Sequence, residues 1–174
     1  DYAEALKYDS KLREVSALFD SCINCKLAYA ARALLFFKLG EKDSMRHYIK
    51  VALQYPPSPG MDGWIFSVAG VVYNDQKKYD SAFLFYRLSI ATLTAEGNLK
   101  DLAGANNNIS SLFKMTGQPD SAFLYVNKSL TLSREGNFAK ETLESNLLLA
   151  ELFESKKPDS ALYFFKKAVD SRDS

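Results

Sequence analysis

Gly117-Gln-Pro-Asp-Ser-Ala122 is one of four related stretches, the others being Gly40-Glu-Lys-Asp-Ser-Met45, Lys77-Lys-Tyr-Asp-Ser-Ala82 and Lys156-Lys-Pro-Asp-Ser-Ala161. Their Asp-Ser pairs fall at 43, 80, 120 and 159, at intervals of 37, 40 and 39 residues. A period of this length marks stacked supersecondary units. From each pair, small or apolar residues recur at i, i+3, i+4 and i+7: Met45, Tyr48, Ile49, Ala52; Ala82, Phe85, Tyr86, Ser89; Ala122, Tyr125, Val126, Ser129; Ala161, Phe164, Phe165, Ala168. That spacing is one face of an α-helix. Pro119 and Pro158 suit a first helical turn, where a missing N–H has no partner to lose, and the neighbouring Asp favours the positive end of the helix dipole.

A second helical pattern precedes each pair and carries a small residue three before an aromatic: Ala33 and Phe36, Gly70 and Tyr73, Ser110 and Phe113, Ala150 and Phe153. The small side chain admits a neighbouring helix and the ring fills the adjacent gap. The unit is therefore a helical hairpin, expected over about 25–55, 62–95, 99–134 and 138–172 within a single repeat domain, 1–174. Residues 1–20 read as a degenerate flanking helix: Asp9-Ser10 echoes the pair, but Lys11 and Glu14 replace the small and aromatic positions. Between hairpins, Glu96-Gly97-Asn98 and Glu135-Gly136-Asn137 recur, with Gly suited to a left-handed C-terminal cap and Asn to capping the next helix. Tyr55-Pro-Pro-Ser-Pro-Gly60 cannot be crossed by a helix and reads as an elongated connector inside the array.

Composition narrows the function. With 174 residues, 47% hydrophobic and 25% charged, the chain can bury a core. A net charge of +1, from 22 basic and 21 acidic residues, lacks the basic excess of a nucleic-acid-binding domain. The longest apolar stretch, Leu27 to Phe37, is interrupted by Arg32 and falls short of the roughly 20 residues needed to span a bilayer. Asp1 stands where an initiating Met would, so the segment reads as excised or processed. The compartment stays open.

The hairpin period, the small residue before an aromatic in the first helix and the Ala opening the second together resemble the tetratricopeptide repeat over about residues 25–172. Asn107-Asn-Ile-Ser-Ser-Leu-Phe113 is similar to the Asn-Asn-Leu-Ala-x-Leu-Tyr form of longer repeats such as those of kinesin light chain. The array also resembles those that precede membrane anchors or regulatory domains of bacterial sensor proteins. Departures are Lys77 and Lys156 where Gly is usual in the turn, Met45 in place of Ala, and the Leu147 to Leu149 run. The resemblance implies an all-α fold, a right-handed superhelical solenoid of stacked antiparallel hairpins, serving as a protein- or peptide-binding scaffold. A receptor for a small ligand or short signalling peptide is the alternative, and it requires a compact apolar pocket with convergent polar groups where an open scaffold has a shallow trough.

Catalytic chemistry finds little to work with. His47 is the single histidine and is expected at the surface. Cys22-Ile-Asn-Cys25 lacks the βαβ setting of a redox pair, and with His47 it falls short of four zinc ligands. Buried thiols or a local disulfide are the readings left, and no cofactor or metal is expected. Most of the 12 Phe and 10 Tyr lie at core spacing. The concave face of a solenoid is lined mainly by the first helix of each unit. Counting from the small residues places Ala30, Leu34 and Phe37, then Trp64, Ser67, Val71 and Asn74, then Asn107, Ser111 and Lys114, then Leu147, Glu151 and Glu154 on that lining. Trp64 is expected at the groove mouth. By the resemblance, Asn107 and Asn74 would clamp a ligand backbone, since an amide offers both donor and acceptor. A carboxylate clamp is not expected, because Lys114 stands alone beside Glu151 and Glu154. The last helix carries Leu162, Tyr163, Phe164 and Phe165, too many for one neighbour, so self-association or coverage by following sequence is expected there.

Overall fold

The computed structural model describes residues 23–154 and 157–172. The expected flanking helix over 1–20, Cys22, the Cys25 side chain and the turn residue Lys156 lie outside the described residues. Among the described residues there are eight α-helices and no strand: α1 (Ile23–Lys38), α2 (Lys42–Gln54), α3 (Asp62–Asp75), α4 (Tyr79–Glu96), α5 (Leu99–Met115), α6 (Pro119–Glu135), α7 (Ala139–Phe153) and α8 (Pro158–Arg172). Among them α1 and α2, α5 and α6, and α7 and α8 pack as consecutive helix pairs. None is long and apolar enough to cross a membrane. The chain resolves into two compact units, Asp1–Phe85 and Tyr86–Ser174. In the first, α1 packs on α2 and both meet α3; in the second, α5 packs on α6, α7 on α8, and α7 also meets α5 and α6.

The repeated positions explain why the hairpins close. Ala33, Ser110 and Ala150 are fully buried, and Gly70 is buried too. At the opening of each second helix, Met45, Ala82, Ala122 and Ala161 are buried, so Met45 does take the place of the usual Ala. Ala52, Ser89, Ser129 and Ala168 close the same stripe, all essentially inaccessible. Each aromatic of a first helix stacks on one of its second helix: Phe36 on Tyr48 with ring centroids 5.3 Å apart, Tyr73 on Phe85 at 5.1 Å, Phe113 on Tyr125 at 5.4 Å and Phe153 on Phe164 at 5.6 Å. The sequence marks both rings of each pair as core; their pairing emerges only in the fold.

The turns share one backbone device. A left-handed residue follows the first helix at Gly40 (φ 75°), Lys77 (φ 57°) and Gly117 (φ 74°), always three residues before the Asp of the Asp-Ser pair. The next N–H donates back to the carbonyl of the stacked aromatic: Glu41 to Phe36 at 2.9 Å, Lys78 to Tyr73 at 3.0 Å and Gln118 to Phe113 at 2.9 Å. This pattern satisfies carbonyls that a helix end leaves open. Lys77 adopts it despite having a Cβ. Between hairpins, Gly97 (φ 67°) and Asn98, whose side chain accepts from the Asp101 N–H, behave as expected. The second Gly-Asn pair does not. Gly136 keeps φ −90°, Asn137 takes the left-handed conformation (φ 54°), and Phe138 stands at the N-cap of α7 without a side-chain cap.

The proline connector is pinned by charge. Lys26 is buried, and its ammonium pairs with the Asp62 carboxylate and donates to the Pro56 carbonyl at 3.1 Å. The other Asp62 oxygen accepts from the Ser58 N–H at 2.8 Å, and the Ser58 carbonyl accepts from Met61 and Asp62 N–H. The buried Ser58 thus has both backbone groups paired inside the unit, as buried backbone must. Nearby, the buried Arg32 guanidinium lies 5.7 Å from the ring centroids of both Tyr29 and Tyr48.

Candidate protein-interaction surface

The register of the first helices decides which residues can reach a partner. Relative to the small residue of each copy, the positions one and four residues later remain accessible. In the first unit these are half-buried Leu34 and exposed Phe37 on α1, and half-buried Val71 and Asn74 on α3. In the second they are Ser111 and Lys114 on α5, half-buried, and Glu151 and Glu154 on α7, exposed. The Lys114 ammonium pairs with the Glu151 carboxylate, joining two first helices at their accessible face. Exposed Leu147 extends that ridge.

The position three residues before the small one varies between copies: Ser67 is half-buried and Leu147 exposed, whereas Ala30 and Asn107 are buried. Ala30 is fully buried in the core of the first unit, and Asn107 is 6% exposed. Asn107 therefore leaves the clamp set. Its amide N–H donates to the Glu141 carbonyl at 3.2 Å, and its oxygen lies 2.9 Å from the Ser145 hydroxyl. That hydroxyl is also 2.8 Å from the Glu141 carbonyl and 3.0 Å from Ser129 Oγ, so its one proton serves one acceptor at a time. Through these contacts Asn107 ties α5 to α7. Ser129 and Ser145 become partners only once the helices are packed.

Trp64 is half-buried and packs against the core of the first unit with Met61, so much of its ring serves the fold. Ser67 is half-buried on the same helix. The structure thus places Trp64, Ser67, Val71 and Asn74 along α3 in one unit, and Ser111, Lys114 and Glu151 on α5 and α7 in the other.

Groups that could do chemistry are dispersed. His47 is exposed, with its ring edge-on to Tyr48 at 5.2 Å. Among the described residues no set of three or more His, Cys, Asp or Glu is placed to hold a metal ion. Tyr86 is buried, and desolvation pushes its phenol above the ordinary value, keeping it neutral.

No family sequence model matches the chain, and no characterised protein matches it by sequence. Solved structures do. The crystal structure of BtubC (BKLC) from P. vanneervenii, a bacterial kinesin light chain-like repeat protein, matches 98% of this chain and 72% of its own, with a TM-score of 0.74 and 19% identity. The crystal structure of MamA matches 93% of this chain and 86% of its own, with a TM-score of 0.63 and 13% identity. Repeat register, stacked aromatic pairs and these two likenesses agree: the fold is all-α, of the tetratricopeptide-repeat type.

Proposed function

We propose that the chain is a protein- or peptide-binding scaffold, the interaction part of a larger bacterial regulatory protein. The observation that carries this reading is the division of labour along the first helices. The small residue of each copy is consumed by packing, while the positions one and four residues later present a mixed apolar and polar ridge in each unit. Such a ridge suits an extended or helical peptide, whose backbone and side chains need both kinds of contact. The fold points the same way, since stacked repeats create an extended surface for a partner. We take Val71 and Asn74 in the first unit, and Ser111, Lys114 and Glu151 in the second, as the contact residues; Trp64 and Ser67 flank the former. Self-association is proposed for α8, where Leu162 (54% exposed), Tyr163 (52%), Phe165 (41%) and Val169 (52%) form an apolar surface.

The test is a peptide-display selection on the purified chain, followed by affinity measurement of the selected peptides against Ser111→Trp, Asn74→Ala and Lys114→Glu variants. Affinity should fall by about tenfold or more in at least one ridge variant whose thermal unfolding is unchanged. Peptides that bind all three variants as tightly as the parent would remove the ridges from the function.

A further inference from the structure

A different face of the second unit carries a groove that the first-helix reading does not use. It has a volume of about 670 Å³ and lies between the C-terminal half of α4 and the length of α6, with α5 beneath. On α6 it is lined by Asp120, Phe123, Leu124, Asn127, Lys128 and Thr131, an unbroken i, i+3, i+4, i+7, i+8, i+11 stripe. Such a stripe is one helix face, about 16 Å long. Ile90 and Thr94 form the opposite wall, and Leu102 and Asn106 belong to α5. Leu124 is 55% exposed, so the apolar lining opens to water.

Its polar groups are few and separable. The Thr94 hydroxyl and the Asn127 amide N–H each donate to a carbonyl of their own helix, Ile90 and Phe123, at 2.6 and 2.8 Å. Asn106, 3% exposed, donates its amide N–H to the Leu102 carbonyl at 2.7 Å, but its side-chain oxygen is buried with no hydrogen-bond partner. A buried acceptor left open is destabilising, and a donor brought by a ligand would remove that penalty. Asp120 and Lys128 stand at the rim, eight residues and so about 12 Å apart along α6. Lys128 leans over the Tyr125 ring at 5.0 Å.

We propose that this groove docks an amphipathic helix of a partner protein, lying antiparallel to α6. Its acidic side chain meets Lys128, a basic one two turns later meets Asp120, and between them come an aliphatic residue and a side-chain N–H donor for Asn106. The antiparallel sense follows from charge. It sets the occupant's acidic group toward its own N-terminus and its basic group toward its C-terminus, where each is favoured by the helix dipole. The donor must be a side chain because a helix's own N–H groups are already engaged. An open trough favours a helix over a small molecule, which needs a pocket burying most of its surface.

The probe is a synthetic helical peptide with glutamate, leucine, glutamine and lysine at i, i+3, i+4 and i+7 of one face, titrated into the whole chain by fluorescence anisotropy. Two control peptides exchange the glutamate and lysine, or replace the glutamine by leucine. The exchanged peptide should bind about tenfold more weakly. The preference should reverse for the Asp120→Lys, Lys128→Glu double variant, and Leu124→Glu should abolish binding with helicity unchanged. Asn106→Leu should raise the denaturation midpoint while erasing the advantage of glutamine over leucine. Because the peptide arms use the unmodified chain, they decide even where a variant fails to fold. Absence of binding, equal affinity for the parent and exchanged peptides, or a dimer of the chain that Leu124→Glu dissolves would each overturn the proposal. The Ser111→Trp variant should bind this probe normally, which separates the groove from the first-helix ridges.

Discussion

Where the first hairpin has Ala30, Ala33 and Ala52, the third has Asn107, Ser110 and Ser129, and all six are buried. In the first unit these positions belong to a continuous apolar core with Met45, Ile49, Ile65, Val68, Ala69 and Val72. In the second they form a hydrogen-bonded seam: Asn107 reaches Glu141 and Ser145, Ser129 meets Ser145, and Ser110 donates to the Ala122 carbonyl at 2.7 Å. Close helix crossing demands small volume, and polarity is tolerated only where a partner stands opposite. The first unit instead holds its buried polarity in Lys26, Asp62 and Ser58 at the connector and in Arg32 beside the Tyr29 and Tyr48 rings. One register thus carries two chemistries, and the units should fail in different ways when challenged.

The largest effects should come from each unit's least replaceable element. Lys26→Met leaves the Asp62 carboxylate buried without its cation and should cost about 3–5 kcal/mol, whereas adding Asp62→Leu should recover much of the loss. Phe113→Ala removes a nearly buried ring from the Tyr125 stack and should cost about 3–5 kcal/mol, with Phe36→Ala costing less because Phe36 is only half-buried. Denaturant titrations of the four variants check both statements. A Lys26→Met midpoint equal to the parent's would show that the ion pair does not hold the connector.

How much of this could be read in advance follows from range. The hairpins were legible because the Asp-Ser pair, the small residue and the aromatic are local signals repeated four times, and repetition averages away the departures. The Lys26 to Asp62 pair was not, since nothing local couples residues 36 apart in the chain. Counting from the small residues puts Asn107 on the lining, and nothing local shows that it is buried. The partners that allow it to be buried, Ser145 and the Glu141 carbonyl, come from the next hairpin. For a related reason the packing of Trp64 is not legible locally: the core it leans on is assembled from three helices.

The hydrogen-bonded seam should respond to loss of one partner more than to loss of volume. Asn107→Ala removes a donor to the Glu141 carbonyl and an acceptor for the Ser145 hydroxyl, breaking the tie between α5 and α7, and should cost about 1–3 kcal/mol. Ala33→Ser in the first unit places a hydroxyl where Ser110 has one in the second. There the acceptor is the carbonyl of the residue opening the next helix, and Met45 offers the equivalent group. That substitution should stay within about 1 kcal/mol of the parent. Asn107→Ala and Ala33→Ser with equal midpoints would mean that the two units do not differ in how they handle polarity.

The smallest effect sharpens the comparison at the turns. Lys77 holds the left-handed conformation that Gly40 and Gly117 hold in the flanking copies. A side chain in that region costs roughly 1–2 kcal/mol. Glycine removes that strain but gives back part of the gain through the greater freedom of the unfolded chain. Lys77→Gly should therefore stabilise by about 1 kcal/mol, and Gly117→Lys should destabilise by a similar amount. Asn137→Gly should gain less, because Asn visits this region more readily than Lys. Gly136 supplies the contrast: its φ is ordinary, yet a Cβ there would lie 2.3 Å from the Phe138 ring. Gly136→Ala should thus be destabilising through the ring and be rescued by Phe138→Ala, while Gly117→Ala, with nothing within 4 Å of its Cβ, should find no such rescue at any neighbouring side chain. A Lys77→Gly chain no more stable than the parent would show that the turn relaxes around lysine, and that the shared backbone device is less demanding than its recurrence implies.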